Sequence, residues 1–354
     1  MEYSYPILRK VIAYYRDINI PSVNDIFIVS CQHLLEPQIE MYKGFIELGI
    51  KPENITALGK IYSSNQSVVE DLNKLGINAY QPKFSGKPFD EEHRNNCLEL
   101  LKKFSNEKVV VLDDGAGLIN VFAENYSNIL FAVEQTSSGF RKLENLKHKF
   151  PIANVARSKT KLTQESPLIA RLCFERIVEH VQKYNLDKPK FLLIGLGPIG
   201  ESMKQILIEN SFEVAGYDKN GYGSIVELIN KENPQVVIGA TGSQIISEEE
   251  LLELSQTLHF ISLSSSDREF PVSKFRTTSN PHDDVVSDNL IFANGGFPVT
   301  FKGNRYESTP LEIEKTISLL FGSAAHGIKR GYQGEGLIDV PEELEELINL
   351  QIDK

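Results

Sequence analysis

The sequence predicts an α/β protein built from two doubly wound parallel sheets. Three observations carry that expectation. Short apolar runs alternate with amphipathic stretches along the whole chain. The alternation starts afresh after a polar, proline-containing turn, "NLDKPK" at 185–190. One strand-like run, "FLLIGLGPIG" from Phe191, passes directly into a glycine turn. Strands separated by helical patterns pair in parallel, with helices on both faces. At 354 residues the chain has the length of about two domains.

The first series of strands is read in "DIFIVS" from Asp25, "NITALG" from Asn54, "INAYQ" from Ile77, "KVVVLD" from Lys108, "NILFAV" from Asn128 and "IANVA" from Ile152. Helical patterns lie between them, in "QSVVEDLNKLG" and "EEHRNNCLELLKKF", and a long one runs from Gln164 to Tyr184. The second series is "KFLLIG", "FEVAGYD", "QVVIGATG", "HFISLS" and "NLIFANGG". The tail returns to helix over Pro310–Arg330 and in "PEELEELINLQI". These limits predict one domain of residues 1–187 plus 323–354, discontinuous in sequence, and a second of residues 188–322.

Composition bounds the partners. A formal charge of −11 argues against nucleic acid or an anionic membrane as the main partner. Three cysteines, Cys31, Cys97 and Cys173, have no metal-type spacing, so no metal is expected and the thiols read as reduced. The opening "MEYSYPILRKVIAYYRD" lacks the apolar core of a signal peptide, and no apolar run is long enough to span a membrane. A cytoplasmic location is expected.

"IGLGPIG" places Gly195, Gly197 and Gly200 in GxGxxG spacing, with Pro198 and Ile199 between the last two. The first glycine permits a tight turn, the second lets backbone approach a pyrophosphate, and the third lets helix and strand pack closely. The helix N-terminus adds its positive dipole. The motif follows a strand and opens a helix, the context it requires. Asp218 ends the next strand, placed to accept both ribose hydroxyls and to repel a 2′-phosphate. The cofactor expected is therefore NAD. "GATGS", with Ala240, Thr241 and Gly242, closes a later strand and is expected to lie over it.

In the first half, polar residues cluster after each strand: His33; Lys60, Ser63 and Asn65; Asp114; Glu134, Gln135, Thr136, Ser137 and Ser138; then Lys161 with Glu165 beyond. In a parallel sheet these carboxyl ends line one crevice. Histidine, carboxylates and a lysine gathered there supply proton transfer and hold a hydroxylated ligand. Each residue also has a plainer use: His33 in a turn, Asp114 as a cap, and Thr136 to Ser138 as caps of a helix.

These segments together resemble S-adenosylhomocysteine hydrolases. "SCQHLLEPQIE", "YSSNQSVVEDLNKLGINAY", "VLDDGAGLI", "VEQTSSG", "ANVARSKTK", "LLIGLGPIG" and "GATGS" are similar to motifs of that family in the same order. The resemblance implies a Rossmann NAD-binding domain plus a parallel α/β substrate domain. It places His33, Asp114, Lys161 and Glu165 in catalysis, Ser63, Asn65 and Gln135 at the substrate, and Thr136, Ser137 and Ser138 with the cofactor residues. The sequence departs from the family at Gln135, Glu165, Ser166 and Ser265, and the family's C-terminal arm is missing after "ELINLQIDK".

The expectation is thus an NAD-dependent enzyme, resembling the adenosylhomocysteinases, that performs redox chemistry on a hydroxyl of a nucleoside-like small molecule. It is expected to be a homo-oligomer, a dimer before a tetramer, with NAD held loosely. The alternatives are hydrolysis of S-adenosylhomocysteine itself, and a non-catalytic NAD-binding sensor or subunit. An amino-acid or 2-hydroxy-acid dehydrogenase of similar architecture is a further rival, for which the sequence offers no convincing arginine–histidine substrate clamp.

Overall fold

The computed structural model describes residues 5–18, 23–218, 221 and 223–350, apart from the side chains of Gln164, Glu165 and Pro310. The chain forms two compact units, one of residues 1–83, 93–165 and 304–354, the other of residues 84–92 and 166–303. The first unit contributes β1 (Ile26–Gln32), β2 (Ile55–Gly59), β3 (Asn78–Tyr80), β4 (Lys108–Asp113), β5 (Ile129–Glu134) and β6 (Pro151–Asn154). The second contributes β7 (Phe191–Ile194), β8 (Val214–Tyr217), β9 (Val236–Gly239), β10 (Leu258–Ser262), β11 (Val285–Ser287) and β12 (Leu290–Phe292), and β13 (Gly336–Asp339) returns to the first.

The helices, in chain order, are α1 (Pro6–Arg16), α2 (Glu36–Glu47), α3 (Gln66–Lys74), α4 (Phe89–Leu101), α5 (Gly117–Asn125), α6 (Ser137–Leu143), α7 (Lys159–Lys183), α8 (Pro198–Glu209), α9 (Ile225–Glu232), α10 (Glu248–Leu252), α11 (Pro310–Arg330) and α12 (Glu342–Asn349). Among the described residues, none is long and apolar enough to cross a membrane.

The first unit's sheet runs β13-β6-β5-β4-β1-β2-β3, parallel throughout. Counted in chain order from its far edge this is the 3-2-1-4-5-6 arrangement of dinucleotide-binding folds, extended by one strand. Its direction of winding reverses between β1 and β4. Both faces are covered, which explains the unbroken apolar run "VVVL". Val109 and Val111 face α4 and α5, while Val110 and Leu112 face α1, α2, α3, α11 and α12.

The second unit's sheet runs β11-β12-β10-β9-β7-β8, parallel except for β11 against β12. Its winding reverses between β7 and β9. Phe191 and Leu193 pack on α7 and α8, and Leu192 and Ile194 on α9 and α10. The fold class is that expected: two parallel-dominated α/β sheets with interleaved helices.

The units divide at 165/166 and 303/304, displaced from the limits read after residues 187 and 322. The reason is packing. Ala170, Cys173 and Ile177 of α7 belong to the second unit's core. Ile317, Leu319, Leu320 and Phe321 of α11 belong to the first unit's. The "NLDKPK" turn therefore joins two elements of one unit.

Candidate functional site

At the β1/β4 reversal the first unit gathers five of the strand-end residues. His33 follows β1 and Asp114 follows β4, so they flank the point where a parallel sheet opens a crevice. His33 Nε2 lies 3.1 Å from Asp114 Oδ2, and its Nδ1 is hydrogen-bonded to the Ser63 hydroxyl. Gln135 Nε2 donates to Asp114 Oδ2 at 2.5 Å. The fifth residue is Lys60, whose ammonium is ion-paired with Asp114 Oδ1 and donates to the Asp114 carbonyl at 2.8 Å.

Burial works against the charge on Asp114, but Lys60 and His33 hold its carboxyl well below the usual range. Burial likewise opposes the Lys60 charge, and Asp114 more than offsets it, raising the ammonium's pKa. An ionised carboxylate only accepts, so His33 Nε2 carries the proton and Ser63 donates to Nδ1. Ser63 is 1% exposed, whereas the His33 side chain is 19% exposed. The series Ser63–His33–Asp114 therefore positions an imidazole rather than presenting a serine nucleophile.

The glycine loop after β4 is already filled. Glu134, fully buried at the end of β5, accepts from the amides of Gly115 at 3.0 Å and Ala116 at 2.9 Å. It also accepts from the amide and hydroxyl of Thr136, at 2.7 and 2.6 Å. Burial, then the nearby Asp113, pushes its carboxyl up to about 8. Thr136 caps α6, accepting from the Gly139 amide at 2.9 Å, and Ser137 and Ser138 form that helix's first turn. Asn65 caps α3 through the Ser67 amide at 3.1 Å. Lys161 is buried in the first turn of α7, its amide 3.3 Å from the Ser158 hydroxyl. The side chain of Glu165 lies outside the described residues.

The second unit holds the open cradle. Gly195 directly follows β7 at φ +104°, and its amide donates to the Tyr217 carbonyl of β8 at 2.8 Å. A Cβ there would lie 2.7 Å from the Ala240 backbone, at the end of β9. A Cβ on Gly200 would lie 1.9 Å from the Gly195 carbonyl oxygen. Around Gly197, by contrast, a Cβ would meet no atom of the described residues within 4 Å, its chain neighbours apart. Two glycines are thus imposed by packing and the third is free on the protein's side, at the β7/β9 reversal. Pro198, which has no amide proton to waste, starts α8, followed by Ile199. Asp218 follows β8 directly and is exposed.

The loop after β9 is fixed from behind. Glu269, 1% exposed, accepts from the amides of Thr241 at 2.6 Å and Gly242 at 3.1 Å, and from the Ser262 hydroxyl at 2.6 Å. These amides are spoken for, so the loop serves as a rigid wall rather than an anion nest. A cavity of about 400 Å³ in this unit is bordered by Gly242, Ser243 and Gln244, opposite Asp90 and Arg268, which are themselves hydrogen-bonded at 2.6 Å.

The structure also gathers residues that sequence spacing kept apart. Cys31 on β1 and His93 and Cys97 on α4 bring their ligand atoms within 4.8 Å of one another, all buried. Among the expected site residues, Lys60 had been noted only as a strand-end residue. Its signal was its place after β2, a strand buried at every position. Glu269 carried no comparable signal.

No protein-family model matches the chain. Curated proteins of two Mycobacterium tuberculosis strains, described as uncharacterized, are each 33% identical over 329 residues, covering 85% of this chain. The chain spans 63% of the length of these relatives. An adenosylhomocysteinase of Acinetobacter baylyi is 24% identical over 191 residues, 51% of this chain and 40% of that protein. Among solved structures, an NAD-bound 3-phosphoglycerate dehydrogenase of Entamoeba histolytica has 12% identity and a TM-score of 0.42, covering 93% of this chain and 99% of its own. An NADPH-dependent glyoxylate/hydroxypyruvate reductase of Sinorhizobium meliloti has 12% identity and a TM-score of 0.40, covering 77% and 93%.

These findings correct the expected membership of the adenosylhomocysteinases. That likeness is confined to about half the chain at 24% identity, while the 33% identity over 85% of it is to the uncharacterized mycobacterial proteins. The physical reason lies in the motifs that carried it. They are strand-end loops, where any doubly wound sheet places glycine and polar residues. Here Gln135 and Lys60 fasten Asp114 within the unit.

Proposed function

We propose that the chain is an NAD-dependent oxidoreductase acting on a hydroxyl, or on the carbonyl it yields, of a small polar molecule. The observation that carries this reading is the asymmetry of the glycine turn. Gly195 and Gly200 are held by backbone collisions, and Gly197 faces clear space. That is the relief a pyrophosphate requires, at a winding reversal and a helix N-terminus. Asp218 beside it favours an unphosphorylated ribose. When bound, NAD supplies the acceptor for a hydride leaving a carbinol carbon.

Within the first unit, Ser63, His33, Asp114 and Lys60 are arranged for proton exchange. Asp114, kept ionised by Lys60, orients His33 and stabilises it when charged. A proton reaching the imidazole is taken up at Nδ1, where the Ser63 hydroxyl turns from donor to acceptor. Imidazole is suited to this exchange near neutral pH.

The test follows reduced-cofactor absorbance while NAD-loaded protein meets 2-hydroxy acids, polyols and nucleosides in turn. One class should reduce NAD, and His33→Gln should lower that rate by roughly 100- to 10,000-fold with NAD binding intact. Full NAD binding with no reduction by any class, or an unchanged rate in His33→Gln, contradicts the assignment.

A further inference from the structure

We propose that Cys31, His93 and Cys97 form a buried site for a thiophilic divalent cation, with Zn²⁺ as the probe ion. Their ligand atoms lie within 4.8 Å of one another, and Cys97 Sγ is 3.8 Å from His93 Nε2. Zn–S bonds of about 2.3 Å and Zn–N bonds of about 2.0–2.1 Å set neighbouring ligand atoms roughly 3.5–3.8 Å apart. The cysteine–histidine pair on α4 already has that separation, and Cys31 needs only a small approach from β1.

The arrangement is built rather than incidental. His93 and Cys97 stand four residues apart on α4, hence on one helix face. Cys31 points to that same side of the sheet, in the core shared with Cys97. The imidazole edge lies so close to α5 that a Cβ on Gly117 would be 2.4 Å from Nε2. Cysteines alone in a core act as small apolar residues, but an imidazole set between them does not.

Charge balances on binding. The S–H bonds of Cys31 and Cys97 give way to two S–metal bonds, and both protons pass to solvent. Neutral His93 donates the Nε2 lone pair. Two thiolates then cancel the 2+ charge, so the core carries no net charge, and no electron is transferred. The ion would tie β1, which leads into His33, to α4.

The experiment uses the full chain purified under reductant, stripped with chelator and titrated with Co²⁺ as a spectroscopic substitute and with Zn²⁺. The expected result is one equivalent bound, with a thiolate-to-cobalt band in the near ultraviolet. Cys97→Ser should abolish the band and His93→Gln should weaken binding at least tenfold. Cys173→Ser, in the other unit, should leave both unchanged. Should the Cys97 variant fold poorly, the wild-type melt decides: Zn²⁺ should raise its midpoint and chelator should reverse the rise. No metal uptake by reduced wild-type protein, no effect of Zn²⁺ on its melt, or a band that survives Cys97→Ser overturns the proposal.

Discussion

Lys60 reaches across β1 from the end of β2 to form a buried ion pair with Asp114 at the end of β4. Both side chains are withdrawn from water, so each depends on the other for its charge. Lys60→Ala should therefore cost about 3–5 kcal/mol, because it strands a buried carboxylate. Pairing Lys60→Met with Asp114→Asn should recover much of that loss. Urea unfolding of the two variants checks this; equal losses in the single and double variants would exclude the pair as the cause.

The glycine turn separates stability from binding. A methyl group on Gly200 meets the Gly195 carbonyl oxygen at 1.9 Å, backbone that has no rotamer to escape into. Gly200→Ala should lower stability by about 1–3 kcal/mol or more. Gly197→Val should leave the melting temperature within a degree or so of wild type, since among the described residues nothing but its chain neighbours lies within 4 Å of a Cβ there. Comparable melts for the two variants would contradict the argument.

Asp218 sets nucleotide choice in this account. Removing a charged acceptor for ribose hydroxyls costs about 1.5–3 kcal/mol. Asp218→Ala should thus weaken NAD binding by roughly 10- to 100-fold while NADP affinity holds or rises. Calorimetric titration of both nucleotides measures it; an unchanged NAD-to-NADP ratio would remove Asp218 from the role.

Asp284 lies against a histidine pair, 3.9 Å from His180 Nδ1. His180 Nε2 is 2.9 Å from His259 Nδ1, and Asp284 accepts from Lys183 at 2.7 Å and Tyr184 at 2.9 Å. Burial lowers His180 to about 4, with His259, Lys183 and Lys302 acting in the same direction and Asp284 opposing. The unfolded chain then takes up this proton near pH 6.5 and the folded chain only near 4. The contribution is intact above pH 6.5 and is lost as pH falls from 6.5 to 4, by roughly 2–3 kcal/mol. Urea midpoints at pH 7, 5.5 and 4.5 should fall more steeply in wild type than in His180→Gln. Parallel curves would place the acid sensitivity elsewhere.

Much of the fold was legible because its signals are local. "KVVVLD" and "FLLIG" are strands buried on both faces, and "GLGPIG" carries its own turn and helix start. His33, Ser63, Asp114 and Gln135 were legible as strand-end residues, since a parallel sheet collects such ends. What was hidden depended on register and packing. Lys60 and Asp114 stand 54 residues apart, and only the position of β1 between their strands pairs them. β13 is a short, partly exposed edge strand whose partner is β6, far earlier in the chain. The long helix begins at Lys159, before the expected Gln164, and runs through Pro167. The cysteine–histidine cluster escaped a search by spacing because one ligand comes from a strand and two from a helix. The adenosylhomocysteinase resemblance misled because strand-end loops recur throughout this architecture.

The central claim is that the second unit binds NAD at the clear space over Gly197. Calorimetric titration of NAD into wild-type protein and into Gly197→Val, with melts recorded on the same samples, tests it most directly. The account predicts one NAD per chain for wild type, and no measurable binding for the variant at an unchanged melting temperature. Absence of NAD binding by the wild-type chain, or equal affinity in a folded Gly197→Val, would contradict it.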